Sequence, residues 1–389
     1  MTATETVVTG LSPEEFRAYF PVLADTVNLA CCSLAPRSSA LDAAMARMLE
    51  EMANDPTPWD MWYAEVEQGR RRFAALIGAA PEQVAVVPSA TVGAFQVAST
   101  SDWSVRSGIV TAEAEYSSVA QVWQAQRPRG AEVAVVAEVG GQVPAQAYHD
   151  RIDGRTNLVS VPLASYRTGS VLPVAEIADA AHAAGARVFV DAYQGAGVLP
   201  IDVDELGCDF LVSGVMKYLL AVPGVAYLYC RDGAADALDP QLTGFFGRAN
   251  PLAFDPDALD FPTDARRYQI GIPSLPIALA ANAGLGLVGL LDPQAVLRHV
   301  QHLTGYAVAQ LRDAGVNLLL PEDPRARGPQ VAVLDPDPMG LARHLNDRRI
   351  FPARGHVVRL SFHHYSSERD VDVACAAIAE WTRQRATSA

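Results

Sequence analysis

Seven short runs of consecutive apolar residues lie between about residues 84 and 230, and segments with helical periodicity separate several of them. The runs read VAVVP, GIVTA, EVAVVA, NLVSVPL, RVFVDA, DFLVSG and VAYLYC. Unbroken apolar runs are typical of strands that are covered on both faces, as in parallel sheets. The pattern therefore predicts an α/β fold with a mostly parallel seven-stranded sheet between helices.

The segment VAEIADAAHAAG is the clearest helix between these strands. It places Ile177, Ala180, Ala181 and Ala184 on one face, and Gly185 follows as the expected C-terminal cap. Open sheets with such connections bind ligands beyond the carboxyl ends of their strands. We therefore expect a functional site among the polar residues that follow those ends.

The residue composition changes after the last apolar run, and the chain can be divided into three predicted regions. Residues 1–60 are mainly helical and irregular, and residues 61–273 form a large domain that ends in a Pro-, Gly- and Asp-rich stretch. Residues 274–389 form a small C-terminal α+β domain. Its strands are expected in VNLLLP, QVAVLD and VVRLSF, with helices in MGLARHLNDRR and from Ser367 onward.

Composition narrows the choice of partners and compartment. The net charge is −14 and no basic run occurs, which argues against nucleic acid and against an anionic membrane surface. The N-terminal residues lack the pattern of a signal peptide, and the apolar stretch 274–291, although long enough to span a membrane, is predicted to be a buried helix. Five cysteines without paired or metal-type spacing indicate a reducing compartment, so we expect a cytoplasmic protein.

The chemistry begins with one carboxylate and one amine. Asp191 ends the strand RVFVDA, and Lys217 follows the strand DFLVSG within an apolar neighbourhood. A lysine that is poorly solvated has a lowered pKa and can act as a nucleophilic amine. Such a lysine can form a Schiff base with pyridoxal phosphate (PLP) while an aspartate keeps the pyridine nitrogen protonated. An ordinary strand-end aspartate and a surface lysine would fit the pair alone equally well.

The text around this pair resembles a known family. VDAYQGAGVLPIDVDELGCDFLVSG followed by KYL is similar to the class V aminotransferase branch of the fold-type I PLP enzymes. That branch includes cysteine desulfurases, kynureninase, isopenicillin N epimerase-like proteins and C–S lyases. The resemblance extends over nearly the whole chain. It implies a PLP-binding large domain, an internal aldimine at Lys217, an amino-acid substrate and a homodimer with active sites at the subunit interface.

Cofactor contacts carry over from the resemblance one position at a time. PSATVGAF matches the turn that holds the phosphate, where Ala90 and Thr91 offer backbone N–H groups at a helix N-terminus. AEAEYSSVAQVW matches the segment that supplies the aromatic ring stacked on the cofactor, here Tyr116 in place of the family's frequent histidine. Ordinary packing of Thr91 as a helix cap and of Tyr116 in the core are the alternatives.

Further positions concern the cofactor's phenolic oxygen and the substrate. SVPLASYRTG matches a strand end near that oxygen, with Ser165 and Tyr166 as candidates, and Gln194 matches the residue that hydrogen-bonds it. Tyr166 is also a candidate substrate contact. In VVRLSF, Arg359 matches the arginine that binds the substrate α-carboxylate, a task suited to its planar fork.

Two more segments border the implied site. NLACCSLAP resembles the opening segment that folds over the substrate side, which makes Cys32 and Ser33 candidates, although buried structural thiols are equally consistent. RYQIGIPSLP resembles the segment that reaches the partner's phosphate through a Gly-Thr pair. The pair is Gly271 and Ile272 here, so only backbone N–H groups remain for that contact.

Departures from the family argue against a cysteine desulfurase reaction. A desulfurase needs a mobile cysteine shortly before the carboxylate-binding arginine, and no cysteine occurs between Arg325 and Ser367. Met216 stands where desulfurases carry a histidine before the lysine, and a phosphate contact from Ser213 stays open.

The histidines lack convergent ligands, so we expect no metal site. His299 with His302 and His363 with His364 are the only close pairs. A zinc site needs three or four convergent ligands.

The sequence therefore predicts a PLP-dependent transferase of amino-acid metabolism, with aminotransfer as the expected reaction. A lyase that cleaves a C–C or C–S bond is the alternative, favoured by SYRTG and KYL, and an epimerase is a further one. A catalytically inactive protein of the same fold is less consistent with the retained Asp191, Gln194, Lys217 and Arg359.

Overall fold

The computed structural model describes residues 10–234 and 239–386. Within these ranges the α-helices are α1 Pro13–Arg17, α2 Ser39–Asn54, α3 Trp59–Leu76, α4 Ala90–Ser99, α5 Ser117–Gln124, α6 Ala145–His149, α7 Val174–Ala183, α8 Val203–Leu206, α9 Leu275–Val288, α10 Pro293–Asp313, α11 Pro338–Asn346 and α12 Glu368–Ala386. Single turns of 3₁₀ helix occur at Pro21–Ala24, Pro81–Gln83, Arg127–Arg129, Phe245–Gly247, Pro251–Ala253, Ala265–Tyr268 and Pro324–Ala326.

The strands fall into one large and two small sheets. They are β1 Val27–Leu29, β2 Val84–Val87, β3 Gly108–Ala112, β4 Glu132–Val136, β5 Thr156–Pro162, β6 Arg187–Asp191, β7 Phe210–Gly214, β8 Ala226–Cys230, β9 Leu318–Leu319, β10 Gln330–Val333, β11 Ile350–Pro352 and β12 Val358–Ser361.

The seven predicted strands form one sheet in the order β2-β8-β7-β6-β5-β3-β4. Neighbours from β7 to β4 pair in parallel, and only β8 runs antiparallel to its neighbours β7 and β2. The mostly parallel seven-stranded sheet expected from the apolar runs is therefore confirmed.

Burial on both faces explains why these strands are apolar throughout. Along β6, Val188 and Val190 belong to one apolar cluster, and Phe189 belongs to a second cluster on the opposite face. Successive strand side chains point to opposite faces, so both faces must be covered by helices. The helix α7 ends as expected, because Gly185 adopts a left-handed backbone conformation with φ of +74° directly after its C-terminal cap.

The C-terminal part forms an antiparallel sheet in the order β12-β10-β9, with α10, α11 and α12 beside it. The predicted strands and helices of this region are all present. The short parallel pair β1–β11 was not predicted, and it joins residues 27–29 to residues 350–352. The strand β1 therefore lies in the C-terminal part, while α2 and α3 pack on α9.

No single helix in the described ranges is long and apolar enough to cross a membrane. The pair α9 and α10 meets that test together, by length and composition only, with a bend of 84° between the two helices. Most residues of α9 are buried against the rest of the protein, as predicted for residues 274–291.

Candidate active site

The carboxyl ends of β3, β5, β6 and β7 meet at one edge of the sheet and form a cleft. Its lining residues come from the loops that follow these strands: Ala114, Tyr116, Pro162, Ala164, Tyr166, Asp191, Tyr193, Gln194 and Lys217. The cleft has a volume of about 250 Å³ and opens to solvent. Tyr116, Tyr166, Gln194 and the Asp191–Lys217 pair are thus brought together from distant parts of the chain.

Lys217 is the only lysine in the sequence, and only 5% of its surface is exposed. Its Nζ lies 4.3 Å from the centroid of the Tyr193 ring and 5.2 Å from that of Tyr116. Burial lowers the pKa of Lys217 to about 8, and the charge of Asp191 opposes that shift. A large fraction of the amine is therefore neutral, and nucleophilic, at mildly alkaline pH.

Asp191 is the last residue of β6 and is buried beside Lys217. Its Oδ1 accepts a hydrogen bond of 2.9 Å from the backbone N–H of Tyr193. Burial raises the pKa of Asp191, while this hydrogen bond and the charge of Lys217 lower it. The carboxylate is held in place as a buried partner for a cation.

Tyr193 was not predicted from the sequence, although its ring lies nearer to Lys217 Nζ than that of Tyr116. Its ring lies directly over Gly214, where a Cβ atom would overlap Cζ, Cε2 and Oη of the tyrosine. The sequence signal for this contact was a tyrosine two residues after Asp191, together with a glycine at the end of the next strand. Neither residue is informative until the register of β6 and β7 is known.

Gln194 lines the cleft and connects it to the N-terminal segment through a hydrogen bond. Its Nε2 donates a hydrogen bond of 3.1 Å to the carbonyl oxygen of Cys32. Its Oε1 is buried and has no hydrogen-bond partner within the described residues. A buried amide with an unused polar atom next to the Lys217 cleft is suited to a polar ligand.

Arg359 in β12 brings a cation close to Lys217. Its Nη1 donates a hydrogen bond of 2.6 Å to the carbonyl oxygen of Tyr166, and its charge contributes to the lowered pKa of Lys217. In the described part of the chain no carboxylate lies within ion-pairing distance of Arg359. The remaining guanidinium donors are therefore free for an anionic group.

The helix α4 begins at Ala90, directly after β2. Ser89 caps it, and its Oγ accepts a hydrogen bond of 3.2 Å from Val92 N–H. Ala90 is buried and Thr91 is exposed, and both N–H groups belong to the first helical turn, where they lack intrahelical partners. Gly271 and Ile272 line a second cleft together with Pro88, so the two predicted phosphate segments are neighbours.

Seven of the predicted contacts are not among the residues that line this cleft: Ala90, Thr91, Gly271, Ile272, Arg359, Ser165 and Ser33. Ser165 Oγ accepts the N–H groups of Arg167 and Thr168 at 3.3 Å and lies 3.4 Å from Glu138 Oε2. Its hydroxyl thus serves the turn after β5. Ser33 is exposed, and of its segment the carbonyl of Cys32 is what reaches Gln194.

The histidines of the C-terminal part make local contacts. His299 Nε2 lies 2.8 Å from the carbonyl of Ser366, and His363 Nε2 lies 3.1 Å from the carbonyl of Tyr218. Throughout residues 10–234 and 239–386 no group of three or more His, Cys, Asp and Glu side chains is arranged to hold a metal ion.

A buried lysine, an aspartate beside it and two tyrosine rings at the carboxyl edge of a parallel sheet are the protein groups of a PLP-dependent enzyme. The orphan oxygen of Gln194 and the free N–H groups of α4 fit the same cofactor. The family model described as Aminotransferase class-V matches residues 54–373, and the chain belongs to that family. Pyridoxal phosphate is accordingly its cofactor.

Relatives with curated descriptions cover most of the chain. An uncharacterized aminotransferase, YcbU, from Bacillus subtilis is 34% identical over 371 residues, which is 95% of this chain and 98% of the relative. Isopenicillin N epimerase from Streptomyces clavuligerus is 27% identical and covers 81% of this chain, with 85% of the epimerase aligned. A probable cysteine desulfurase from Methanothermobacter thermautotrophicus is 26% identical over 75% of this chain and 74% of its own length.

Solved structures share the fold. The apo cysteine desulfurase from Thermococcus onnurineus superimposes with a TM-score of 0.85 at 21% identity, covering 97% of this chain and 100% of the desulfurase. A cystine C–S lyase in complex with cysteine persulfide gives a TM-score of 0.85 at 20% identity, over 92% of this chain and 99% of the lyase. The relatives thus include several reaction types on one fold, and the reaction must be argued from the site itself.

Proposed function

We propose that this protein is a PLP-dependent aminotransferase that acts on a small amino acid. The observation that carries the proposal is that Lys217, the sole lysine, lies close to the buried Asp191 and to Arg359, which has no acidic partner within the described residues. A single amine can serve both as the cofactor's attachment point and as the proton carrier that aminotransfer requires. The free guanidinium lies near that amine, where a substrate's α-carboxylate could be bound.

The chain's own residues divide the task as follows. Arg359 binds the substrate carboxylate and orients its Cα toward Lys217, and the hydrogen bond to the Tyr166 carbonyl fixes the guanidinium. Lys217 Nζ would take up the proton that leaves the substrate Cα and hold it for the second proton transfer that aminotransfer requires. PLP, when bound, accepts the electrons that the departing proton leaves on Cα. The carboxylate of Asp191 would keep a proton on the ring nitrogen of the bound cofactor, and the positive charge of that ring would favour this electron withdrawal.

Other residues near Lys217 and at the start of α4 would hold the cofactor. Tyr116 and Tyr193 offer flat apolar surface, which supplies area and orientation for an aromatic ring. The first-turn N–H groups of Ala90 and Thr91 are suited to a phosphate. Gln194 offers its amide to the ring's polar substituent. Gly271 and Ile272 would contribute backbone N–H groups to a partner's phosphate.

A C–S or C–C lyase is the second candidate. The thiols of Cys31 and Cys32 lie near enough to Lys217 to influence its pKa, which places sulfur chemistry within reach of the cleft. Burial raises the pKa of the Cys31 thiol well above its usual range, so it is a poor thiolate nucleophile. No cysteine lies between Arg325 and Ser367, where a desulfurase would need one, and this favours aminotransfer.

One experiment separates the candidates. The loaded enzyme is mixed with a panel of amino acids without any keto-acid acceptor, and cofactor absorbance and products are followed through a single turnover. Aminotransfer predicts one equivalent of keto acid per site and a cofactor that stays in its amine form. Release of ammonia, sulfide or a cleaved fragment, with return of the original absorbance, would establish a lyase and refute the proposal.

We also propose a homodimer. Large apolar side chains are exposed on the loops that precede and contain Gly271: Leu242, Leu252, Phe254, Leu259 and Ile272. Such a concentration of exposed apolar area favours a subunit interface. Light scattering on the purified protein tests this, and a monomer at micromolar concentration would contradict it.

The five free thiols support a reducing compartment, the cytoplasm.

A further inference from the structure

Glu115 is a buried carboxyl group that has no part in the reaction outlined above. It lies three residues after the end of β3, directly before Tyr116, and only 3% of its surface is exposed. Acidic side chains are almost never buried to this extent unless they are paired. The protonation state and the role of Glu115 therefore depend on the groups that contact its carboxyl.

Three groups contact the Glu115 carboxyl. Ser160 Oγ donates a hydrogen bond of 2.8 Å to Oε2, and the Tyr116 backbone N–H donates one of 2.8 Å to Oε1. The third contact is with the carboxyl of Asp191, because the β5–β6 register sets Asp191 opposite Pro162, two residues beyond Ser160 and on the same face of the sheet. Behind Ser160, the buried phenol of Tyr148 donates to the Ser160 carbonyl at 3.0 Å.

Two carboxyl groups can share a hydrogen bond only if one of them carries a proton. Lys217 stands beside Asp191 and favours the ionised form there, and no cation faces Glu115 from the elements that surround it in the described structure. Burial, followed by the charge of Asp191, raises the pKa of Glu115 to about 8. The proton therefore resides on Glu115 at neutral pH.

We propose that Glu115 is a positioning residue that keeps its proton in the resting enzyme and donates it in a hydrogen bond to Asp191. The pair then presents one negative charge, held in a fixed orientation, to the cation that Asp191 serves. The donated hydrogen bond also weakens the basicity of Asp191, which tunes how firmly the carboxylate holds a proton on the ring nitrogen. This inference rests on the proposed role of Asp191, but its first tests require neither cofactor nor turnover.

The first test measures thermal unfolding of the cofactor-free protein between pH 5 and pH 9. A group whose pKa is about 8 in the folded protein, against an ordinary value of 4.5, destabilises the fold as pH rises between those values. Glu115→Gln removes that titration, so its melting temperature should rise relative to that of the natural protein as pH increases. Glu113→Gln, two residues away and exposed, is the matched control and should run parallel to the natural protein. A pH-independent difference between Glu115→Gln and the natural protein overturns the proposal.

The second test remains valid even if Glu115→Gln fails to fold. Infrared spectroscopy detects the carbonyl stretch of a protonated carboxyl group apart from the bands of ionised carboxylates. The natural protein should show this band at pH 7 and lose it as the pH passes through about 8. Absence of the band at pH 7 overturns the proposal. In a folded Glu115→Gln protein the band should be missing, and its persistence there would assign the proton to another residue.

The third test concerns the positioning itself. Glutamine retains a neutral donor toward Asp191 and leucine does not, so PLP should bind about tenfold or more weakly to Glu115→Leu but within about threefold of normal to Glu115→Gln. Equal PLP affinities for the two variants would overturn the positioning role. Failure of aminotransfer with the infrared band intact would count against the proposed reaction alone.

Discussion

Substituting Gly214 by alanine tests how the cleft floor is built. Gly214 ends β7, and the Tyr193 ring lies where the new methyl group would be placed. Its backbone is not in the left-handed region, so the effect is steric and not conformational. Because Tyr193 forms one wall beside Lys217, the methyl group should force that wall to move.

The expected cost follows from the geometry. Ordinary contacts between carbon atoms are about 3.5–4.0 Å, so the ring would have to shift by roughly 1 Å or more. The ring is partly buried, and overpacking at such sites costs about 1–3 kcal/mol. Displacement also removes the ring from its position 4.3 Å from Lys217 Nζ. Loss of an aromatic contact of about 1 kcal/mol would weaken PLP binding roughly fivefold.

The assay is a double-mutant cycle on unfolding free energy, with PLP affinity measured in parallel. Gly214→Ala should cost about 1–3 kcal/mol alone and much less in a Tyr193→Ala background, where the methyl group has room. Gly305→Ala is the matched control, since that glycine lies in the exposed face of α10 with no atom near its Cβ position, and alanine there should stabilise by up to about 1 kcal/mol. An equal cost of Gly214→Ala in both backgrounds would refute the steric reasoning.

Three further predictions follow from the same structure. Lys217→Ala should abolish turnover. In the natural protein, covalent attachment of PLP to Lys217 should become faster as the pH rises through about 8, which can be measured by trapping with borohydride and mass spectrometry. An attachment rate that is independent of pH would contradict the buried amine. Arg359→Lys should raise KM for the amino acid about tenfold or more with a smaller change in kcat, because the bidentate fork is lost, and an unchanged KM would remove Arg359 from the substrate site. Burial lowers the pKa of His363 to about 3, so the free energy of unfolding should fall as the pH drops from about 6.5 toward 3. In urea titrations, His363→Gln should flatten this dependence on pH, and the exposed His356→Gln should not.

Much of the fold could be predicted because its signals are local. Each of the seven sheet strands was marked by an unbroken apolar run, and α7 by its periodicity and Gly185. The β1–β11 pair was missed because each strand has only three residues and the two lie more than 300 positions apart. Such short segments carry no periodicity of their own, and only tertiary packing makes them strands.

The active-site candidates divide in the same way. Asp191 and Lys217 could be chosen because each follows a strand of a parallel sheet, and such strand ends share one edge. Ser165 was chosen from the family resemblance of the strand end SVPLASYRTG, yet its hydroxyl turns into the loop after β5 and not into the cleft. Strand position fixes which edge a residue reaches, but loop conformation decides where its side chain points.

The sequence by itself determined the parallel sheet, the edge at which chemistry could occur, and the identity of the amine and the carboxylate there, because all of these follow from hydrophobic pattern and residue type. Only the tertiary structure placed the Tyr193 ring over Gly214, left Arg359 without an acidic partner, and joined the carboxyl of Glu115 to that of Asp191. These contacts join residues that are tens to hundreds of positions apart. Their protonation and strength depend on burial and on neighbouring charge, which arise only when the strands are assembled in register.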